Sequence, residues 1–159
     1  MVSKTNEQAL EASIEKYLTG TCLEELTAIR DSAGELPVGP NHGYQLGRTQ
    51  DFNARYAVDS RCLWRFLHDS QNDELERLKQ RYDDWDLRIL ERFDRMAKKY
   101  GVLHLLKRGL AIDDVHLHLM YPAPLASSSE RVKRQFAANV FSSTRQVRYS
   151  LSNTLEEID

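Results

Sequence analysis

Leu75, Leu78, Tyr82, Trp85, Ile89, Phe93, Met96 and Tyr100 recur at alternating steps of three and four residues, and nothing else in the chain limits its fold so sharply. The spacing predicts one long helix, opening at Asn72 or Asp73 and ending at Gly101, where a helix can stop without backbone strain. Aromatic residues on the stripe favour packing against a domain core over a coiled coil. The opposite face, from Glu74 through Lys99, mixes signs and nets to about zero, as expected of a solvated scaffold helix rather than a nucleic-acid stripe.

A chain of 159 residues is enough for one domain with a real core. Its 22 basic and 24 acidic residues nearly cancel, so the whole molecule is not an electrostatic binder of nucleic acid, and any such affinity must come from local patches. Cys22 and Cys62 are far apart in segments that read as helical, with neither metal-ligand spacing nor the density of a disulfide framework, and both read as buried thiols in a reducing compartment. The first residues lack the apolar core of a signal peptide, and no apolar run is long enough to cross a bilayer. The expectation is a soluble, cytoplasmic protein with no membrane partner.

Thr5 to Gln8 has the spacing of a capping box, placing a helix start near Asn6, and Leu10, Ile14, Tyr17 and Leu18 form its apolar stripe. Glu11 stands beside that stripe with Glu15 one turn later on the same side. Spacing alone makes both of them solvated helix carboxylates; the functional alternative is that Glu11 points into a cleft. Gly20 interrupts this helix, and Thr21 with Glu24 caps a second one running to about Ser32.

Gly34 to Gly47 is rich in glycine and proline without apolar period and reads as a long loop, with His42 a surface histidine. Asp59 or Ser60 caps a helix faced by Leu63, Trp64, Phe66 and Leu67. Past Gly101, Val102 to Leu106 is helix or turn. Asp113 to Tyr121 reads as one strand, ended by Pro122 and Pro124. His116 and His118 share a face of it at a spacing that can bind zinc or copper, but no third ligand is near in sequence, so a structural or surface role is the ordinary reading.

Ser127 to Glu130 supplies a turn and a cap for a short helix around Arg131 to Ala138. Between Glu130 and Tyr149 the basic residues Arg131, Lys133, Arg134, Arg145 and Arg148 face a single acid, a one-signed cluster suited to a phosphodiester backbone or else an ordinary charged surface. Val147, Tyr149 and Leu151 then alternate with polar residues as in a half-buried strand, and Leu155 to Asp159 reads as the opening of another.

The run Asn139 to Asp159 resembles the approach to the nuclease centre in the N-terminal domain of the R (restriction) subunit of type I restriction-modification enzymes. Gly43-Tyr44-Gln45-Leu46-Gly47, Asp51-Phe52-Asn53 and Tyr56-Ala57-Val58-Asp59 also resemble that family, as does the glutamate on the first helix. Order and spacing carry the resemblance along most of the chain. It implies an α/β fold of the PD-(D/E)XK nuclease class, with a helical N-terminal two-thirds followed by sheet strands. By position Asp159 is similar to the motif's Asp and Glu11 to the first-helix acid, so both would be catalytic and metal ligands for Mg²⁺.

The Glu-x-Lys pair of that class has no counterpart before Asp159, and no phosphate-binding glycine loop is present. Residues 1–159 are therefore expected to be a partial N-terminal endonuclease domain, with an incomplete core and no cleavage by themselves. The parent would use Mg²⁺ to polarise the phosphate and activate water. It would cut unmodified double-stranded DNA alongside modification and specificity subunits, with ATP serving motor domains absent from this chain. The alternative from another class is a non-catalytic helical interaction or scaffold module that docks through the helix from Asp73 to Tyr100.

Overall fold

The computed structural model describes residues 4–32 and 43–147. In chain order its elements are α1 (Lys4–Thr19), α2 (Leu23–Ser32), β1 (Tyr44–Leu46), β2 (Phe52–Asn53), β3 (Val58–Asp59), α3 (Ser60–Arg81), α4 (Trp85–Tyr100), α5 (Val102–Arg108), β4 (Leu110–Ile112), β5 (Val115–Leu117), α6 (Glu130–Ala137) and β6 (Phe141–Ser143). The protein is mixed α/β and mostly helical, and its strands form two-stranded sheets among the described residues. No helix among those residues is long and apolar enough to cross a membrane.

Length alone suggests one core, but the chain packs as two compact units. One takes the described residues through Asp59 and those from Phe141 onward; the other is Ser60–Val140. The reason lies in where the apolar side chains fall. The connected buried cluster runs from Phe66 to Tyr121 and so belongs wholly to the second unit.

In that second unit the apolar stripe is divided. Rather than one helix from Asn72 to Tyr100, α3 stops at Arg81 and α4 begins at Trp85. Asp83 and Asp84 fall at the break, and short acidic side chains favour helix ends over helix interiors because they compete for nearby backbone groups. Asp84 instead accepts from Arg88 Nε at 2.7 Å. The break lets Leu75 and Leu78 of α3 and Ile89 of α4 enter one core, all essentially inaccessible to water. Trp64 and Trp85 meet edge to face at 5.2 Å between ring centroids, a contact worth about 0.5–1.5 kcal/mol beyond its buried area.

The predicted strand over Asp113 to Tyr121 is instead a hairpin. β4 and β5 pair antiparallel with Ile112 opposite Val115, so Asp113 and Asp114 are the two-residue turn. Asp113 adopts φ 51°, a left-handed conformation that aspartate tolerates. Leu110, Ile112, Val115 and Leu117 point into the core, and Ala111 and His116 point out. Arg77 and Arg81 of α3 both bind the Asp114 carboxylate, tying the turn to the helix.

α3 itself kinks at Gln71, whose φ of −149° is not helical. Its side-chain amide explains the kink. Gln71 Nε2 donates to His118 O at 2.7 Å, and Gln71 Oε1 accepts from His118 N at 2.6 Å. The buried carboxamide thus serves as the ladder partner that β5 lacks beyond Leu117. Asn139 does the same for Tyr121, accepting from its N–H at 2.9 Å and donating to its carbonyl at 2.8 Å.

In the first unit β1 and β6 pair parallel, Tyr44 with Phe141 through Leu46 with Ser143. The reading of residues 34–47 as all loop therefore misses β1, a strand too short for its alternation to register. Gly47 follows it where the backbone runs against residues 143 and 144: an added Cβ would lie 1.9 Å from Thr144 Oγ1. Gly47 N donates to Ser143 O at 2.8 Å, extending the pairing by one bond. α1 lies on both strands, but with the unexpected face. Leu10, Ile14 and Tyr17 are more than half exposed, while Glu15 is 3% exposed. The predicted apolar stripe faces outward because the surface beneath α1 offers a cation.

Two outcomes follow for the second unit, which holds both tryptophans of the chain. Gln71→Ala strands the His118 N–H and carbonyl and should cost about 2–3 kcal/mol in urea unfolding followed by tryptophan fluorescence; Gln71→Glu keeps the acceptor but sets a buried carboxylate oxygen against the His118 carbonyl, and should cost at least as much at neutral pH. The hydrogen bond from Arg81 is the largest influence lowering the Asp114 carboxyl from its ordinary 3.8 to about 2. A carboxyl depressed in the folded state adds stability above its unfolded pKa and loses it as pH falls through the folded value. Thermal melts should therefore show the advantage of the parent over Asp114→Asn shrinking between pH of about 4 and about 2.

Candidate functional site

The cation beneath α1 is Arg145, two residues beyond β6. Three glutamates surround it. Glu11 and Glu15 come from α1, one turn apart on one face, and Glu24 comes from the first turn of α2. Arg145 Nη2 donates to Glu24 Oε1 at 2.7 Å, Arg145 Nε lies 3.3 Å from Glu15 Oε2, and Arg145 Nη1 lies 3.9 Å from Glu11 Oε2. Glu15 Oε2 also accepts from Leu23 N at 3.0 Å, satisfying one of the free amide hydrogens at the start of α2. Thr19 Oγ donates to Thr21 O at 2.7 Å, and so shapes the turn that brings α2 back beside α1.

The electrostatics follow from burial. Desolvation pushes the Glu15 carboxyl above its usual range, against the pull of the Leu23 amide and Arg145. Glu24 is more exposed, and the Arg145 hydrogen bond holds its carboxyl low. Burial works against the Arg145 charge, but the Glu24 hydrogen bond and the surrounding carboxylates outweigh it and raise the guanidinium above its ordinary value. Three carboxylates share one guanidinium, leaving a formal excess of negative charge. Glu11 Oε2 is buried without a hydrogen-bond partner.

Arg145 and Glu24 also form part of the wall of a cleft of about 740 Å³, with Gln8, Thr49, Gln50 and Phe52. Glu11 is not on that wall. Its Oε2 lies 3.9 Å from Arg145 Nη1, and the cleft described is not one that Glu11 opens into. Between the two sequence alternatives, Glu15 is the more deeply buried and the better bonded, whereas Glu11 keeps the unsatisfied oxygen.

The remaining sequence candidates separate. Asp159 and Arg148 lie outside the described residues, as do the strand expected at Leu155–Asp159 and all but Val147 of the one expected over Val147–Leu151; Val147 itself is not in a strand. Arg131, Lys133 and Arg134 are exposed on α6, in the other unit, and Lys133 is paired with Glu130 at 2.8 Å. Arg145 is bound to carboxylates rather than presented outward. The one-signed stretch of sequence is thus divided between the two units. His116 and His118 come within 5.1 Å between ring centroids, but His116 Nε2 is bonded to Arg108 O at 2.8 Å. Among the described residues no group of three or more metal-capable side chains is assembled.

Glu11 Oε2 is buried, lies 3.9 Å from Arg145 Nη1 and has no hydrogen-bond partner among the described residues. Glu15 and Glu24 are occupied by Arg145. Sequence reasoning did not find the Arg145 pairing, since Glu24 and Arg145 are 121 residues apart in the chain and no local period links them. Comparison with protein-family models, curated proteins and solved structures finds no match for this chain.

Removing the cation should be costly. Arg145→Met leaves Glu15 buried without its countercharge and is expected to destabilise the first unit by about 3–5 kcal/mol. Glu15→Gln placed in the same chain should recover part of that loss, because a neutral amide can still accept from Leu23 N. Hydrogen exchange of α1 amides measures both; equal protection in the parent and Arg145→Met would exclude the pair as the anchor of α1.

Proposed function

We propose that the chain is the N-terminal part of the nuclease region of a type I restriction R subunit, of the PD-(D/E)XK class. The observation that carries this reading is the placement of α1. Its carboxylates Glu11 and Glu15 are turned toward the segment that follows the parallel pair β1 and β6, and that same segment leads in sequence to Asp159. The strings that carry the resemblance are also placed together in part: Gly43 to Gly47 flanks and forms β1, and Tyr56 to Asp59 leads into and forms β3. Ser142 Oγ of β6 donates to Asp59 Oδ2 at 3.0 Å.

In this reading Glu11 and Asp159 hold Mg²⁺, which supplies a Lewis acid for the phosphate and lowers the pKa of an attacking water. Arg145 positions Glu11 and Glu15 and limits their repulsion. Arg131, Lys133 and Arg134 contact the phosphate backbone of double-stranded DNA. Modification and specificity subunits are the protein partners, and ATP acts in motor domains outside this chain. The exposed row Leu10, Ile14 and Tyr17 is apolar surface for further nuclease elements or those subunits to cover.

The test is plasmid cleavage with Mg²⁺ and ATP by the full reading frame carrying this segment, assembled with its modification and specificity subunits. Glu11→Ala and Asp159→Ala should each lower cleavage by at least about 10- to 100-fold while leaving DNA binding intact. Undiminished cleavage in both variants would remove the assignment. In the rival scaffold reading a docking surface on the Asp73 to Tyr100 segment would use side chains other than Leu75, Leu78 and Ile89, which are in the core. The exposed row on α1 is what still favours it.

A further inference from the structure

α4 carries Arg88, Arg92 and Arg95 at positions i, i+4 and i+7, a spacing that places them on one face. They border a groove of about 320 Å³ against β4, whose wall includes Ala111 and the carboxylates Glu91 and Asp113. At a rise of 1.5 Å per residue the arginine row extends roughly 10 Å. That is the reach of two or three linked phosphates.

Two of the three guanidiniums are already fixed in place. Arg92 Nε donates to Ala111 O at 3.1 Å, leaving both of its Nη groups uncommitted among the described residues. Arg88 Nε is bonded to Asp84, and its guanidinium carbon stacks 4.0 Å over the centre of the Tyr82 ring. Arg95 is exposed and forms no hydrogen bond or ion pair among the described residues.

The acids in the groove do not match this set. Asp113 is engaged by the Tyr82 hydroxyl at 2.5 Å and lies 4.0 Å from Arg81, outside the row. Asp113 also acts electrostatically on Arg88, whose Nε is held by Asp84, and Glu91, on α4 itself one turn before Arg95, is the other carboxylate of the groove. Below the row, Ile89, Leu90 and Ile112 are buried, so the donors stand on a packed base rather than a loop. Pre-set forks of N–H donors match the oxygens of phosphate in pairs, which lysines cannot do.

We propose that the Arg88, Arg92 and Arg95 groove binds phosphate groups, with Arg92 and Arg95 as the principal donors and Arg88 as a fixed flank. The site lies within Ser60–Val140 and does not rest on the nuclease reading. The phosphate can come from a nucleic-acid backbone or from a free polyphosphate, and the two sources are separable by experiment.

The whole chain is titrated with inorganic tripolyphosphate by calorimetry, and with a short fluorescein-labelled DNA duplex by anisotropy. Arg95→Ala, at an exposed and unpaired position, should weaken binding about tenfold, and Arg95→Lys should restore only part of it. With DNA, the slope of log affinity against log salt should fall by about one for each phosphate contact removed. Tripolyphosphate binding that depends on Arg95, with no DNA binding, supports the site and assigns it to a free polyphosphate. DNA binding that depends on Arg95 and is displaced by tripolyphosphate supports the site and assigns it to the backbone. The proposal is overturned if neither probe binds, or if binding is unchanged in Arg95→Ala and in the Arg92→Ala, Arg95→Ala double variant with native circular dichroism.

Discussion

Arg145 is the point on which the first unit depends. α1 and α2 arrive early in the chain and β6 late, and the described residues of this unit include no connected apolar cluster to hold them together. A guanidinium 15% exposed, meeting a carboxylate 4% exposed, takes that place. Such a pair gains little over a well-packed apolar contact, but losing one member leaves an unpaired charge out of water. It is therefore a device of specificity. Only one rotation of α1 puts Glu11 and Glu15 together on Arg145, and that rotation turns Leu10, Ile14 and Tyr17 outward.

The second unit solves a different problem with neutral groups. Its hairpin is short, and past Leu117 the backbone has no neighbouring strand. Gln71 and Asn139 supply the missing donor and acceptor with side-chain amides. Each clamp satisfies two backbone groups, and Gln71 does so at the expense of one helical φ in α3. Leu67, Leu75, Leu117 and their neighbours then pack with the backbone groups of His118 and Tyr121 paired.

Local periodicity made much of this legible. The stripe from Leu75 to Met96 gave the core-facing side of α3 and α4, and the Ser127 to Glu130 turn was visible as the source of a cap for α6, which the structure assigns to Ser129, whose Oγ accepts from Val132 N. What failed were features set at a distance or by single residues. Asp83 and Asp84 divide a stripe whose period continues across them, and Asp113 and Asp114 turn a run that reads as one strand. The outward face of α1 was illegible because its orientation is decided by Arg145, far along the chain. The arginines of α4 were in plain view; averaging charge over the whole helix concealed that three of them share a side. For Glu11 the helix and the acidic pairing were readable, but not that its partner would be an arginine counted among the outward-facing bases.

The first unit is discontinuous, and that has a consequence for biosynthesis. On a ribosome the chain emerges from its N-terminus, and segments fold as their partners become available. All residues of the Phe66 to Tyr121 core have left the tunnel before β6 and Arg145 are exposed. The core of the second unit can thus begin to pack while α1 still lacks its countercharge and β1 its strand partner, and its Asn139 clamp closes only as β6 follows. The segment translated earliest waits for one of the latest to find its place.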